Sequence, residues 1–338
     1  MNSSLGLTIA SPPNIDATLV NLAKAEIASA KSVLIGTHLN PDGDALGSAL
    51  AVSLYLDGLG IVNELICHHS PPRNLQFLPG IERVKQVPSA SEHDLGIVVD
   101  LDAFDRLGTT ERYFHNCKKT IVIDHHLPHQ APGDLRIVDS EAPATAIIVT
   151  RLFLAFQADF TPDIATCLFT GVVTDTGSFR FRNTNPEALA LASLLLDQGA
   201  NLEQVSEEIF QSRPESSARL LGLMLDQMHL EDKGRIAWAI LRQSDFIRLN
   251  ARDEETEGFV NELLSVDTVL VAVLGRETGP GITRVSLRSR AKIDVAEIAR
   301  PFGGGGHMNA AGLTFEGDPK ESMQKLIRSI QDCLASYS

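Results

Sequence analysis

Thr120-Ile121-Val122-Ile123-Asp124-His125-His126 is the stretch on which the reading of this chain turns. A β-branched apolar run ends abruptly in one carboxylate and two imidazoles. Four or five such residues read as a strand buried on both faces of a parallel sheet. Polar groups do not continue into such a core unpaired. In an open α/β sheet, ligands sit just outside the carboxyl ends of the strands. Asp124, His125 and His126 are therefore expected at the mouth of a cleft. Taken alone, two histidines at a strand end read better as a solvated terminus. Three further acidic clusters shift that balance.

Ser32 to Gly36 (SVLIG) reads as a strand, and His38, Asp42 and Asp44 follow it in THLNPDGDALGS, Thr37 to Ser48. Asp94 to Asp100 (DLGIVVD) reads as a strand ending in an acid, and a helix from Asp163 to Val173 leads to Asp175. So many like charges cannot share one cleft without cations to neutralise them. Carboxylates with imidazoles and no thiolate suit Mn²⁺ or a similar divalent ion rather than a structural zinc. In His38-x-x-x-Asp42-x-Asp44, Pro41 and Gly43 force an irregular turn, so the two carboxylates can address two adjacent metals. An amphipathic helix is expected from about Ala45 to Leu59. Its N-terminal dipole would help hold a phosphate, with Gly47 and Ser48 allowing close backbone approach.

Composition narrows the class. The chain has 338 residues, 43% of them hydrophobic, enough for two domains with sizeable cores. No apolar stretch is long enough to span a bilayer, and the first lysine is Lys24, so the start lacks the basic segment of a secretory signal. Cys67, Cys117, Cys167 and Cys333 are scattered without paired spacing, which suits a reducing cytosol. The net charge of −14 argues against a protein that grips long nucleic acid by its phosphates. A phosphate substrate must be held locally.

The organisation follows from the periodicities. Residues 15–197 read as a parallel-sheet α/β domain, 198–215 as a linker, and 216–338 as a smaller mixed α/β domain. In the first domain, helices are expected over Ile15–Ala30, Ala144–Phe156 and Glu187–Gln198, and a loop from His126 to about Pro143; Asn201–Phe210 reads as a short helix. In the second, strands are expected over Ile236–Leu241, Thr268–Leu274 and Thr283–Arg288, with a C-terminal helix over Pro319–Ala335. Met1 to Pro13 reads as a frayed end. Between Thr283 and His307 five basic residues face two acidic ones, beside four consecutive glycines, Gly303 to Gly306. Arg288 suits bidentate phosphate binding, and glycine backbone N–H groups can approach a phosphate or nucleobase.

These motifs resemble a known family. THLNPDGDALGS, VVDLDAFDR, VIDHH and TDTGSF resemble the four motifs of the DHH phosphoesterases, and SLRSR and GGGGHMNAAG resemble the DHH-associated C-terminal domain. The arrangement is similar to the NrnA-type subgroup, which degrades very short oligonucleotides and dephosphorylates 3′-phosphoadenosine 5′-phosphate (pAp). The resemblance implies a metal cleft between the two domains and two metals per site, with Mn²⁺ first and Mg²⁺ or Co²⁺ as alternatives. His38, Asp42 and Asp100 would hold one ion, and Asp44, Asp100, His125 and Asp175 the other. His126 would touch the substrate phosphate and Asp124 would orient an imidazole. Substrate contacts would come from Arg290, Gly304, Gly305, Gly306 and His307, with Arg288. Arg106 reads equally well as a substrate contact or as half of a structural ion pair.

The expected enzyme is thus a cytoplasmic, metal-dependent phosphoesterase for short oligonucleotides and small nucleotide phosphates. It has no membrane and no long-duplex partner, and a homodimer is open to it. A linear or cyclic dinucleotide phosphodiesterase would use the same ligands, and a non-catalytic RNA-binding module is the alternative outside enzymes. His68, His69, His93, His115, His129 and His229 read as ordinary histidines, Trp238 as core, and Asp253 to Glu257 as a solvated helix start.

Overall fold

The computed structural model describes residues 15–126 and 133–335. The terminus read as frayed, the start of the loop after His126 (His129 included) and the His307 side chain lie outside the described residues. The chain divides into two compact units between Ser212 and Arg213.

The first unit is built on strands β1 (Ser32–Gly36), β2 (Val62–Ile66), β3 (Val84–Lys85), β4 (His93–Val99), β5 (Cys117–Asp124) and β6 (Leu135–Val138). They lie in the order β3-β2-β1-β4-β5-β6, with every neighbouring pair parallel. The order reverses between β1 and β4, and such a switch point opens a crevice at the carboxyl ends of the strands. Both faces are covered. Val33, Ile35, Leu65, Ile97 and Ile121 pack into the larger core, while Leu34, Ile66, Val98 and Val122 pack with Leu107 and Phe114 on the other side. That is why these strands read as continuous apolar runs rather than alternating ones.

The helices of this unit are α1 (Ala17–Ser29), α2 (Gly43–Gly58), α3 (Glu111–Phe114), α4 (Thr145–Phe156), α5 (Pro162–Asp175), α6 (Pro186–Asp197) and α7 (Leu202–Ser206). α2 is not amphipathic over its first half: Gly43 to Ser53 are buried on all sides. A Cβ on Gly47 would lie 2.3 Å from the Cys167 carbonyl oxygen, so α2 meets α5 backbone to backbone. Gly47 therefore serves a helix crossing rather than the approach of a phosphate. Gly47→Ala is expected to cost about 1–3 kcal/mol of stability by overpacking. The measurement is the urea midpoint at unchanged slope, and an unmoved midpoint would count against the tight crossing.

Two local expectations are corrected by the fold. Leu135–Val138 is an edge strand inside the stretch expected to be a loop. Four residues interrupted by Arg136 carry too little pattern to announce it. The helix expected over Asn201–Phe210 is α7 followed by a π-helical turn, Glu207–Gln211. Val205 belongs to the first unit's core, so most of the stretch read as a linker is part of that unit.

The second unit has strands β7 (His229–Glu231), β8 (Ile236–Leu241), β9 (Val271–Gly279), β10 (Ile282–Ser289), β11 (Gly305–His307) and β12 (Ala310–Glu316). They form a mixed sheet in the order β11-β12-β10-β9-β8-β7, in which only β8 and β9 are parallel among the described pairs. Its helices are α8 (Glu215–Asp226), α9 (Gln243–Leu249), α10 (Phe259–Leu264), α11 (Val295–Ala299) and α12 (Pro319–Ala335). Separate apolar cores lie on the two faces, and Trp238 sits in one of them, as expected. The acidic run is no solvated helix start. Asp253–Thr256 is a 3₁₀ turn, with Asp253 3.2 Å from Arg276 and 3.7 Å from Arg284. Among the described residues no helix is long and apolar enough to cross a membrane.

Candidate metal centre

Three strand ends converge at the switch point. Gly36 of β1 lies opposite Val98 of β4, so His38 and Asp100 each stand two residues beyond that pair. Val99 lies opposite Ile123 of β5, which puts Asp100 beside Asp124. Asp100 is the centre of the cluster. Its Oδ2 is 3.2 Å from His38 Nε2, and its Oδ1 is 3.5 Å from His125 Nε2 and 3.6 Å from His126 Nδ1. His125 Nε2 also lies 3.7 Å from Asp175 Oδ2. Among the described residues, ligand atoms within 4.8 Å of one another form three groups: His38, Asp42 and Asp100; Asp44, His125 and Asp175; and Asp100, His125 and His126.

Local structure aims each donor. The chain leaves β4 through Asp100 at φ +58, a left-handed conformation that aspartate tolerates better than most residues, and the Asp100 amide donates to the Ile123 carbonyl at 2.9 Å. His38 Nδ1 is 2.6 Å from the Leu39 carbonyl and His125 Nδ1 3.2 Å from the Ala142 carbonyl. A proton donated there from Nδ1 leaves Nε2 as the acceptor turned toward the carboxylates. Asp42 Oδ1 accepts from the amides of Asp44 and Ala45 at 3.1 and 3.0 Å, capping α2. The Asp44 and Ala45 amides are thereby engaged by the protein's own carboxylate. Ser48 donates to Asp44 Oδ1 at 3.4 Å instead of lining a phosphate site. Asp175 is the last residue of α5 and is partly exposed. Asp124 is buried, and its Oδ1 lies 2.7 Å from His126 Nδ1.

The electrostatics describe a strained anionic cluster. Burial, with Asp100 and Asp175 close by, pushes the Asp44 carboxyl well above the usual carboxylate range. Burial and the charges of Asp100 and Asp42 do the same to Asp175. Burial acts in that direction on Asp100 too, but hydrogen bonding and charge from His38, with His125 and His126, hold it far below. Burial opposes charge on His38, yet Asp100 and Asp42 raise it to about 8. Against burial, Asp124 and Asp100 raise His126 to about 9, with Arg106 opposing. Crowded carboxylates forced toward their neutral forms, interleaved with inward-facing imidazole nitrogens, are a donor set that fits divalent cations.

Three contributors carried no signal in the sequence. Thr145 reaches Asp100 and Asp44, the Ala142 carbonyl orients His125, and Asn183 Nδ2 donates to the carbonyls of Asp175 and Pro143, both at 3.0 Å. Arg106 makes an ion pair with Asp102 at 3.3 Å and lies close enough to His126 to oppose its positive charge.

A model of the DHH family, N-terminal domain, matches residues 32–172, and a DHHA1 domain model matches residues 235–336. The bifunctional oligoribonuclease and PAP phosphatase NrnA of Thermus thermophilus is 34% identical over 308 residues, which span 89% of each chain. The chain belongs to the DHH family.

Among solved structures, an exopolyphosphatase-related protein from Bacteroides fragilis is 27% identical with a TM-score of 0.89, over 96% of this chain and 98% of that one. RecJ from Thermus thermophilus, crystallised with Mn²⁺, is 15% identical with a TM-score of 0.59, over 97% of this chain and 56% of RecJ, a likeness of fold alone. The DHH match takes in every candidate ligand except Asp175, which lies three residues beyond its end.

The DHHA1 unit treats its candidate residues differently from one another. Arg288 is half-buried on β10, where its Nη1 donates to the Leu287 carbonyl at 3.0 Å, and no carboxylate pairs with it among the described residues. Arg290 is engaged structurally: its Nη2 and Nη1 donate to the Leu264 and Asp267 carbonyls at 2.6 and 3.2 Å, closing the end of α10. Both terminal nitrogens are thus committed to the backbone of their own unit. The glycine run is not a free loop, because Gly305 and Gly306 pair with β12. A Cβ on Gly304 would lie 2.5 Å from the Gly312 carbonyl oxygen, and one on Gly306, at φ +146, would lie 2.3 Å from that of Ala310. Only Gly305 of these three faces open space.

Proposed function

We propose that this DHH-family chain is a two-metal phosphoesterase that hydrolyses short oligoribonucleotides to mononucleotides and dephosphorylates pAp. The observation that carries the reading is two ligand groups, His38 with Asp42 and Asp100, and Asp44 with His125 and Asp175, linked by the approach of Asp100 to His125, in a chain that spans 89% of an NrnA relative. In this assignment His38, Asp42 and Asp100 hold one ion, and Asp44, Asp100, His125 and Asp175 the other. Mn²⁺ suits this mixed oxygen and nitrogen donor set, and the Mn²⁺ complex of RecJ is consistent with that choice. Divalent ions lower the pKa of water and neutralise charge on the phosphoryl oxygens. The chain's own part is to position and to donate. His126, steadied by Asp124, offers an N–H toward the phosphate or the departing oxygen. The four free thiols fit a cytoplasmic setting.

Arg288 is the proposed grip on the rest of the substrate. Against a net charge of −14 a longer polyanion gains little from its extra phosphates. The test is release of mononucleotide from a length series, from dinucleotide to a long strand, with Mn²⁺ and after chelation. Binding without release would favour an RNA-binding module, and a preference rising steadily with length would refute selection for short substrates. Arg288→Ala is expected to raise KM for a dinucleotide by the equivalent of about 1.5–3 kcal/mol, the loss of one charged hydrogen bond, while sparing bis-p-nitrophenyl phosphate. Equal losses on both substrates would contradict a binding role.

A further inference from the structure

The start of α4 is built without its own cap. Its N-cap residue is Ala144, which has no side chain able to accept the first amides. Those amides are taken by a residue about a hundred positions upstream. The Thr145 N–H donates to Asp44 Oδ2 at 2.6 Å and the Ala146 N–H to Asp44 Oδ1 at 2.8 Å. Asp44 therefore caps α4 from α2. The Thr145 hydroxyl turns the other way and donates to Asp100 Oδ1 at 2.9 Å. Thr145 has no exposed surface, so neither bond competes with water. Asn183 ties the same helix start to the end of α5 through the carbonyls of Pro143 and Asp175. Two carboxylates, Asp44 and Asp100, and the backbone of Asp175 are referenced to one point.

We propose that Thr145 is a positioning residue of the metal centre, holding Asp44 through its amide and Asp100 through its hydroxyl. A carboxylate rotates freely about its bond to Cβ unless a donor fixes its plane. With Oδ1 of Asp100 held by Thr145, the two oxygens of this shared carboxylate stay divided between His125 on one side and His38 on the other. The inference rests on Asp100 being a metal ligand, and it goes further by naming the group that sets that ligand's orientation.

The test is Mn²⁺ titration into metal-free, full-length protein by calorimetry, on the parent chain, Thr145→Val and Thr145→Ser. Thr145→Val keeps the volume and the amide but deletes the hydroxyl. It is expected to weaken Mn²⁺ binding by about 10- to 100-fold, the usual effect of removing a group that orients a metal ligand. Thr145→Ser keeps the hydroxyl and is expected to bind as the parent does. A thermal melt of each metal-free variant accompanies the titration. A purely structural threonine would lower the melt and leave the Mn²⁺ affinity alone, and that result overturns the proposal. Should Thr145→Val not fold, Thr145→Ser still decides: weakened binding in a variant that retains the hydroxyl also overturns it. Absence of Mn²⁺ binding by the parent chain would remove the metal reading itself, a result distinct from equal binding by parent and Thr145→Val.

Discussion

Asp100→Ala is expected to cut kcat/KM on a dinucleotide by roughly a thousandfold or more, equivalent to about 4 kcal/mol of transition-state stabilisation lost with the ions. The reason lies in how many groups meet at this carboxylate. Its two oxygens face His38 and His125 from opposite sides, and it belongs to two of the three candidate ligand groups. In the proposed assignment the loss of any other single ligand leaves one ion's set complete, whereas Asp100 belongs to both sets. The backbone complicates the alanine variant, because position 100 sits at φ +58, where alanine is less at ease than aspartate. Asp100→Asn separates the effects. Asparagine tolerates the left-handed conformation and still accepts from the Thr145 hydroxyl, but lacks the charge. Both variants are expected to lose bound metal, with the asparagine variant keeping a folded circular dichroism spectrum. Normal metal content and turnover in Asp100→Asn would sink the shared-ligand assignment.

His125→Ala and His126→Ala should part company although the residues are neighbours. His125 turns Nε2 toward Asp100 and Asp175, while its Nδ1 faces the Ala142 carbonyl. That is the posture of a ligand with its second nitrogen anchored. His126 instead has Nδ1 against Asp124, a buried carboxylate, at 2.7 Å. A ring held this way is arranged to donate. The third ligand group, Asp100 with His125 and His126, supplies the competing assignment, in which both histidines bind metal. The expectation is that His126→Ala retains both ions and loses about 10²- to 10⁴-fold in kcat, the range for one acid–base or phosphate-contacting group. His125→Ala loses metal. Metal analysis of the two purified variants alongside steady-state kinetics decides it, and equal metal loss in both would transfer His126 to the ligand set.

Much of this site is legible in the order of residues along the chain. β1, β4 and β5 each announce themselves by an apolar run that ends in His38, Asp100 or Asp124, because a strand buried on both faces tolerates no polar residue until it leaves the sheet. The Pro41 and Gly43 turn places Asp42 and Asp44, and the end of α5 delivers Asp175. Failures cluster where the pattern is short or shared. β6 is four residues long, and α2 reads as amphipathic although it is buried all round over its first half. Arg288 and Arg290 carry the same chemistry two positions apart, yet one is half-buried without a carboxylate partner among the described residues while the other closes α10.

The amino-acid order by itself determined which residues stand at the strand ends and what chemistry they can supply. Strand burial, turn residues and donor type are properties of a few consecutive positions. Only the tertiary structure decided how those donors are shared: Asp100 between two histidines, Asp44 as the cap of α4, and Thr145 as the group that touches both carboxylates. The hydrogen bonds of Thr145 and Ala146 to these carboxylates join residues 45 to 102 positions apart, from helices and strands brought together by the sheet. Hydrogen bonds over such separations leave no periodicity along the chain. A threonine that orients a carboxylate is, read in order, the same as a threonine that merely begins a helix.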